Sequence, residues 1–306
     1  MTAVSAAADE LALTFAVAGD DCIGILHGVT AAARCGVVVI VGGPQYRVGS
    51  HRQFVLLARA LAAGGVPVLR FDYRGLGDSS GTARDFTDVD NDIRGAIDTL
   101  CARAGTERVV LWGLCDAASA ALMYAHGDPR VAGLALLNPW VHSPATDARV
   151  RLQGYYRERL RSPEFWRKLA RFQFDWRDSL ASIRAHVGAL RSPAAQAPEH
   201  FIARMRKGWD AFDGPVLLIL SGEDFTAAEF RLLCATAPEW RSLLTAKPVD
   251  VVTIDAANHT FARADWRQAV ASATLDWLRG SFSDQSAQQP IGLRQSARGK
   301  WESENT

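Results

Sequence analysis

The sequence predicts an α/β protein in which a mostly parallel central sheet is covered by helices on both faces. Short apolar runs alternate with helical stretches along the chain, and Val37–Val41 is a continuous run of β-branched residues. This alternation is typical of parallel sheets, and a strand that is apolar on both faces is buried on both. At 306 residues the chain is long enough to bury a large core.

The strands are predicted from apolar and β-branched runs that are bounded by turn residues. The first two are expected to form a hairpin that turns at residues 19–21, and Pro67 lies near the start of the fourth. The predicted strands are Leu11–Val17, Ile23–His27, Val37–Val41, Val66–Phe71, Arg108–Trp112, Val131–Leu137, Val216–Leu220 and Val249–Ile254.

Helices are predicted where apolar residues recur at helical spacing between these strands. The first, His51–Ala63, ends at a pair of glycines, which are common helix terminators. The second, Asp85–Ala102, follows a glycine-rich loop. The last, Asp265–Leu278, places Trp266, Val270, Ala273 and Trp277 on one face.

Two regions interrupt the alternation of strands and helices. Residues 142–213 contain no convincing strand and hold 14 Lys and Arg against 8 Asp and Glu. Their length predicts a helical cap inserted into the core rather than a loop. Residues 281–306 are dominated by Ser, Gln and charged residues, which predicts a disordered tail. The α/β core is therefore expected to comprise residues 1–141 and 214–280.

Composition excludes several classes of function. The formal net charge is +1, which gives no overall attraction to nucleic acid, and no apolar run is long enough to span a membrane. Residues 1–10 lack the basic start of a secretory signal, and five unpaired cysteines suit a reducing compartment, so we expect the cytoplasm. No HxxxH, CxxC or carboxylate cluster occurs, so neither a metal nor a cofactor is expected.

The strongest motif is the segment Val109–Ala118, where an apolar strand runs into Gly-Leu-Cys-Asp-Ala and then into an alanine-rich helix. This pattern is a nucleophile elbow with Cys115 in place of the commoner serine. The sharp turn requires small neighbours such as Gly113 and Ala117, and the helix N-terminus favours a thiolate. Ser119 lies one helical turn further on and is expected to point along the helix. The sequence therefore predicts Cys115 as the nucleophile.

A nucleophilic thiol needs a base, and His259 lies in the loop between the last strand and the last helix. Elbow enzymes of this topology carry nucleophile, acid and base in that chain order. The acid is expected after the strand Val216–Leu220, where Asp224 is the first candidate to orient the imidazole. Glu223 remains an alternative, because sequence alone does not separate adjacent carboxylates.

An oxyanion formed at the nucleophile needs backbone N–H donors. The N–H of Asp116, directly after the nucleophile, is one candidate. The second is expected in the loop that follows Val37–Val41, where Pro44 has no N–H to give. Gly43 and Gln45 are therefore both candidates. The nearby loop Asp72–Ser79 lacks the residues of a phosphate-binding motif and is interpreted as structural.

Taken together, these motifs resemble α/β-hydrolases of the serine-aminopeptidase-like and dienelactone-hydrolase-like kind, from about Val37 to Leu278. More narrowly, Gly42–Arg47 and Gly113–Ser119 resemble the exosortase A system-associated hydrolase 1 family, bacterial proteins linked by genomic context to exopolysaccharide production and protein sorting. The resemblance implies an α/β-hydrolase fold and a cytoplasmic hydrolase or acyl-transfer role with Cys115 as nucleophile. Its motifs are Gly42-Gly43, Asp72–Ser79, the elbow, Gly222–Asp224 and Asn258-His259.

The expected function is hydrolysis of an ester or thioester through an acyl–Cys115 intermediate. Because a thioester still reacts with amines and other acceptors, acyl transfer to a sugar or amine is an alternative. The partner is a small-molecule acyl substrate, and the basic residues 142–213 favour an anionic one unless they form only a solvated surface. A non-catalytic binding or scaffold protein is the rival hypothesis. Carboxylate-nucleophile chemistry ranks third, because the elbow carries no such nucleophile.

Overall fold

A computed structural model describes residues 10–28, 33–43, 45–142 and 196–282 of the chain, with the side chains of 196–200 excepted. Its strands and helices alternate as the sequence predicts. The strands are β1 (Glu10–Val17), β2 (Asp20–His27), β3 (Cys35–Ile40), β4 (Val68–Phe71), β5 (Arg108–Leu114), β6 (Val131–Leu137), β7 (Val216–Ser221) and β8 (Val249–Ile254). The helices are α1 (Gln53–Ala63), α2 (Asp90–Ala104), α3 (Asp116–Tyr124), α4 (Gln196–Ala211), α5 (Phe225–Thr236), α6 (Pro238–Ala246) and α7 (Ala264–Phe282).

The eight strands form one sheet in the order β1-β2-β4-β3-β5-β6-β7-β8. The first two strands pair antiparallel with each other, and β2 also pairs antiparallel with β4. From β4 to β8 every neighbouring pair is parallel. The predicted fold class, a mostly parallel sheet, is confirmed.

Alternate residues of the central strands supply two apolar layers, one on each face of the sheet. In β3, Val38 and Ile40 belong to one layer, and Val37 and Val39 to the other. The first layer packs against α2, α3, α5 and α6, and the second against α1 and α7. This explains the uninterrupted apolar run of β3, because a strand covered on both sides needs apolar side chains at every position.

The predicted hairpin is present, but it turns through Ala18 and Gly19, which both have positive φ (50° and 94°), rather than through residues 19–21, since Asp20 and Asp21 belong to β2. Such a two-residue turn matches the right-handed twist of the paired strands. It places β1 at one edge of the sheet, while β8 forms the other edge.

Some predicted boundaries were wrong by a few residues. The second helix begins at Asp90 rather than Asp85, because the Asp85 carboxylate accepts hydrogen bonds from the N–H and hydroxyl of Thr87 (2.9 and 2.7 Å) and forms a turn instead. The first helix begins at Gln53, since His51 has a left-handed φ of 53°. The strand β4 begins at Val68, after Pro67, which has no N–H for the sheet.

The predicted cap falls partly outside the described residues, since 143–195 are not described. Its last part forms α4, in which Met205 and Trp209 are fully buried among core side chains. A Cβ placed on Gly208 would overlap the carbonyl oxygen of Leu122, so α4 lies directly against α3. The predicted tail from 283 onward also lies outside the described residues. Within the described part of the chain, no helix combines the length and apolar character needed to cross a membrane.

Candidate active site

Cys115 lies at the turn between β5 and α3 and has unusual backbone angles, φ 63° and ψ −126°. A positive φ at a residue with a Cβ is strained and persists only where surrounding contacts enforce it. Here the Cys115 N–H donates to the Leu137 carbonyl (2.9 Å), and its carbonyl accepts from the Ala118 N–H (3.0 Å). The turn presents the thiol at the carboxyl edge of the sheet, where it is partly exposed.

The glycine two positions before Cys115 is required by packing. A Cβ on Gly113 would lie 2.6 Å from the carbonyl oxygen of Ala117, closer than real side chains approach. The helix α3 therefore runs directly against the end of β5, as the elbow motif predicts.

The loops after β5, β7 and β8 bring Cys115, Asp224 and His259 to the same edge, because the carboxyl ends of parallel strands meet there. His259 Nδ1 lies 2.9 Å from Asp224 Oδ2. Hydrogen bonds to Asp224 and to Cys115 raise the pKa of His259 to about 10. The imidazole thus lies between a carboxylate and the thiol, which is the arrangement expected of a nucleophile and its base.

Asp224 is held in place by the helix that follows it. It is the N-cap of α5, and its carboxylate accepts hydrogen bonds from the N–H groups of Thr226 (3.4 Å) and Ala227 (3.1 Å). The alternative acid, Glu223, has an exposed side chain, and its N–H donates to the Ala257 carbonyl (2.9 Å). The geometry therefore pairs His259 with Asp224.

Asn138 was not singled out in the sequence, although it follows β6 directly. It is fully buried and has a positive φ of 43°. Its amide accepts from the Ser221 N–H (2.9 Å) and donates to the Ser221 hydroxyl (2.9 Å) and to the His259 carbonyl (3.3 Å). Asn138 thus links the end of β7 to the loop that carries His259. A polar residue directly after the seven apolar residues of β6 was the available signal.

The segment after β6 also forms a wall beside the elbow. The Trp140 N–H donates to the Cys115 carbonyl (3.2 Å), and the Ser119 hydroxyl donates to the Trp140 carbonyl (2.7 Å). Ser119 is fully buried, and its hydroxyl also lies 3.5 Å from the Cys115 carbonyl oxygen, one turn back along α3. Beyond this wall, His142 Nδ1 lies 3.0 Å from the buried carboxylate of Glu229.

The loop that follows β3 approaches the elbow through Gly42 and Gly43. The Gly43 N–H donates to Asp116 Oδ2 (2.8 Å), and the Ala117 N–H donates to Asp116 Oδ1 (2.9 Å). Gln45 remains the other candidate donor, and its side-chain oxygen accepts from the Ser50 N–H (3.0 Å). Pro44 lies outside the described residues.

The loop Asp72–Ser79 has a structural role, as interpreted from the sequence. Arg74 donates two side-chain hydrogen bonds to the buried carboxylate of Asp92 (2.9 and 2.8 Å). The buried carboxylate of Asp72 accepts from the N–H and guanidinium of Arg47. These buried charges are compensated within the loop and its neighbours, so the contacts tie the loop to α2 and to Arg47.

Among the residues that the structure describes, no group of three His, Cys, Asp or Glu side chains could hold a metal ion. All five cysteines are free. Burial raises the pKa of Cys22 and of Cys35 to about 12 and that of Cys234 further still, so these thiols are poor nucleophiles.

Comparisons with known proteins agree with this architecture. A family model described as the alpha/beta hydrolase family matches residues 26–273. No curated protein matches the sequence. Among solved structures, the Pyrococcus furiosus esterase Pf2001 is similar at a TM-score of 0.62 and 14% identity, over 90% of this chain and 92% of that one.

Two further structures are similar at the level of the fold. Est1E from Butyrivibrio proteoclasticus, solved with ferulic acid, has a TM-score of 0.57 and 14% identity, over 88% of this chain and 98% of that one. The esterase domain of a Rhodothermus marinus protein has a TM-score of 0.56 and 18% identity, over 89% and 98%. Because the family model covers most of the chain, this protein belongs to the α/β-hydrolase family.

Proposed function

We propose that this α/β-hydrolase cleaves an ester or thioester by acyl transfer through a covalent acyl–Cys115 intermediate. The observation that carries the proposal is the position of His259, which is hydrogen-bonded to Asp224 and close enough to Cys115 for that residue to raise the imidazole pKa. A nucleophile that must lose its proton needs a base held in this way.

In the first step, His259 takes the thiol proton, and the imidazolium that results is stabilised by Asp224. The Cys115 sulfur then attacks the carbonyl carbon, and the carbonyl electron pair moves onto oxygen. When the tetrahedral intermediate collapses, the bond to the leaving alcohol or thiol breaks, and His259 returns its proton to that leaving group. The product is a thioester on Cys115.

In the second step, water or another acceptor attacks the thioester, with His259 again removing a proton. Because thioesters react readily with amines, transfer to an amine or sugar acceptor is the variant of this function that a cysteine favours over a serine. Hydrolysis and transfer share the first step and differ only in the acceptor.

The resemblance to the exosortase A system-associated hydrolase 1 family supports a role connected with exopolysaccharide metabolism. The positive charge of residues 142–213 supports an anionic acyl donor, such as a carrier-bound thioester. A donor bound in this way should show a KM that rises with ionic strength, because salt screens the attraction. A KM for acyl-CoA that is unchanged between low and high salt would remove this support.

The first step is tested with p-nitrophenyl butyrate and intact mass spectrometry at short times. We expect a butyryl adduct on the wild type and on Cys101→Ala, a control that removes a different free cysteine. We expect no adduct on Cys115→Ala. An adduct that survives in Cys115→Ala would contradict the assignment of the nucleophile.

The same experiment separates an enzyme from a binding protein. The wild type could form no adduct, release no nitrophenol and show no selective alkylation of Cys115 by iodoacetamide. That combination would favour a non-catalytic protein on a hydrolase fold. Selective alkylation without an adduct would indicate a reactive thiol that rejects this small ester.

A further inference from the structure

The side chain of Asp116 contacts the loop after β3, from which the second oxyanion donor of this site is expected. Its Oδ2 accepts the Gly43 N–H at 2.8 Å, and Gly43 is one of the two loop donors that the sequence predicts for an oxyanion. A Cβ placed on Gly42 would overlap Asp116 Oδ1, so the carboxyl fills the space between the elbow and this loop. The residue after the nucleophile therefore contributes its side chain, and not only its N–H, to the site.

An ionised carboxylate in this position conflicts with the proposed acyl transfer. It would hold the Gly43 N–H and would place a negative charge beside the oxygen that becomes negative in the transition state. Like charges close together repel strongly where water is excluded. The conflict disappears if the carboxyl is neutral, because its O–H then becomes a donor.

We propose that Asp116, in its neutral form, donates its carboxyl O–H to the oxyanion of the tetrahedral intermediate. This inference rests on the proposed function. Oδ1 keeps its hydrogen bond from the Ala117 N–H (2.9 Å), and Oδ2 accepts from Gly43 while its own proton points to the substrate. The Gly43 N–H thus supports the oxyanion indirectly, through its hydrogen bond to the carboxyl. Asp116 neither loses its proton to the substrate nor forms a covalent bond.

The surroundings of the carboxyl favour the neutral form. Burial raises the pKa of Asp116 above its ordinary value, although the N–H groups of Gly43, Ala117 and Asp116 itself act in the opposite direction. Asp85, before α2, adds a second negative charge that raises the pKa of Asp116 further. The buried phenol of Tyr73, after β4, senses the charge of the same carboxyl. Burial and Asp116 both raise the pKa of Tyr73, so it stays neutral.

The proposal predicts how acylation depends on pH. The donor is present below the pKa of Asp116 and is lost as pH rises through it. A plot of the wild-type acylation rate against pH should therefore have a declining limb above that pKa. In Asp116→Asn the side chain stays neutral and keeps an N–H donor, so the limb should disappear. In Asp116→Ala the carboxyl donor is absent at every pH, and the Gly43 N–H that this variant frees lies behind the position of the lost carboxyl. Loss of one oxyanion donor costs about 10²–10³-fold in rate.

The experiment is a single-turnover measurement of butyryl transfer to Cys115 from pH 4 to pH 9. We expect Asp116→Ala to be about 100-fold slower than the wild type at the optimum, and Asp116→Asn to stay within about tenfold of it. Asp85→Asn should move the declining limb to lower pH. The exposed Asp265→Asn, at the start of α7, is the matched control and should leave the limb in place.

Three outcomes would overturn the proposal. Faster acylation by Asp116→Ala would mean that the carboxyl blocks the oxyanion site. Equal losses in the Asn and Ala variants, with circular dichroism confirming that both fold, would mean that only the carboxylate is useful. An Asn variant with an unchanged limb would mean that Asp116 only positions the loop.

A second measurement separates this proposal from the proposed function. The infrared C=O band of a protonated carboxyl, identified by its loss in Asp116→Asn, should titrate above the range of an ordinary aspartate. A band that titrates in the ordinary range would overturn the role of Asp116 even if Cys115 is acylated. A wild type that shows the raised titration but no acylation at any pH would sink the proposed function and with it the role in catalysis.

Discussion

Two histidines of this chain lie in opposite environments, at two ends of the same sheet. His259 is at the carboxyl edge, and hydrogen bonds to Asp224 and Cys115 raise its pKa to about 10. His27 ends β2 and is fully buried, and burial together with the charge of Arg70 lowers its pKa to about 4. The Arg70 guanidinium donates to His27 Nε2 (2.9 Å), which requires that nitrogen to be unprotonated.

The difference shows that burial alone disfavours a charged imidazole, and that an acceptor next to the ring reverses the effect. At His259 the carboxylate of Asp224 supplies that acceptor, and Cys115 raises the pKa in the same direction. At His27 the nearest polar group is a cation, and Glu10 is 3.8 Å from Nδ1. One histidine is therefore suited to take a proton in a reaction, and the other is suited to remain a neutral part of the structure.

The largest expected effect is a difference in the rate of nitrophenol release between variants of the two histidines. We expect His259→Gln to lower nitrophenol release by about 10³-fold or more, because the base is lost. His27→Gln should keep the rate within about threefold, since the amide oxygen can still accept from Arg70. Steady-state kinetics on both variants, with circular dichroism as a check on folding, measure this. Equal losses would mean that His259 has no special role in the reaction.

The second effect tests the acceptor that distinguishes His259. Asp224→Asn should lower the rate by about 10²–10⁴-fold, because the amide no longer stabilises the imidazolium. Glu223→Gln is the matched control, one residue away with an exposed side chain, and should stay within about twofold. A larger loss in the Glu223 variant would assign the acid to the other carboxylate.

A smaller effect is expected at Asn138, which touches the His259 loop without touching its ring. Asn138→Ala leaves the Ser221 N–H without its acceptor, which costs about 1–3 kcal/mol of stability. We expect a rate loss of about tenfold from the displaced loop. Asn91→Ala, on the exposed face of α2, should change neither quantity. Thermal unfolding and kinetics at one temperature would show both effects, and an unchanged Asn138→Ala would contradict the role in positioning.

The smallest effect is the pH dependence of stability, which should differ in sign between the two histidines. The pKa of His27 is lower in the folded chain, about 4, than the ordinary 6.5, so the unfolded chain binds the proton first. Stability is therefore lost as pH falls from about 6.5 to about 4, by an amount on the order of 1–3 kcal/mol. The melting temperature of His27→Gln should depend less on pH than that of the wild type in this acid range.

For His259 the signs are reversed. Its folded pKa of about 10 lies above the ordinary 6.5, so its contribution is fully present below pH 6.5 and is lost as pH rises to about 10. The difference in melting temperature between wild type and His259→Gln should shrink across that alkaline range. A difference that grows with pH would contradict the assigned hydrogen bonds.

The sequence predicted the sheet and the chain positions of the site because both leave local signals. Val37–Val41 reads as a buried strand since every position is apolar, and Cys115 stands out since small residues flank it between a strand and a helix. Boundaries were harder to predict, because capping and turn contacts such as that of Asp85 with Thr87 decide them.

What the sequence could determine by itself was the class of fold and the order of Cys115, Asp224 and His259 along the chain. Only the tertiary structure paired His259 with Asp224 rather than Glu223, connected Asn138 to the His259 loop, and turned the Asp116 carboxyl onto the Gly43 N–H. These are contacts between segments that are 35, 121 and 73 residues apart. Local patterns specify which strand or helix a residue belongs to, whereas distances between side chains depend on how the strands are ordered in the sheet.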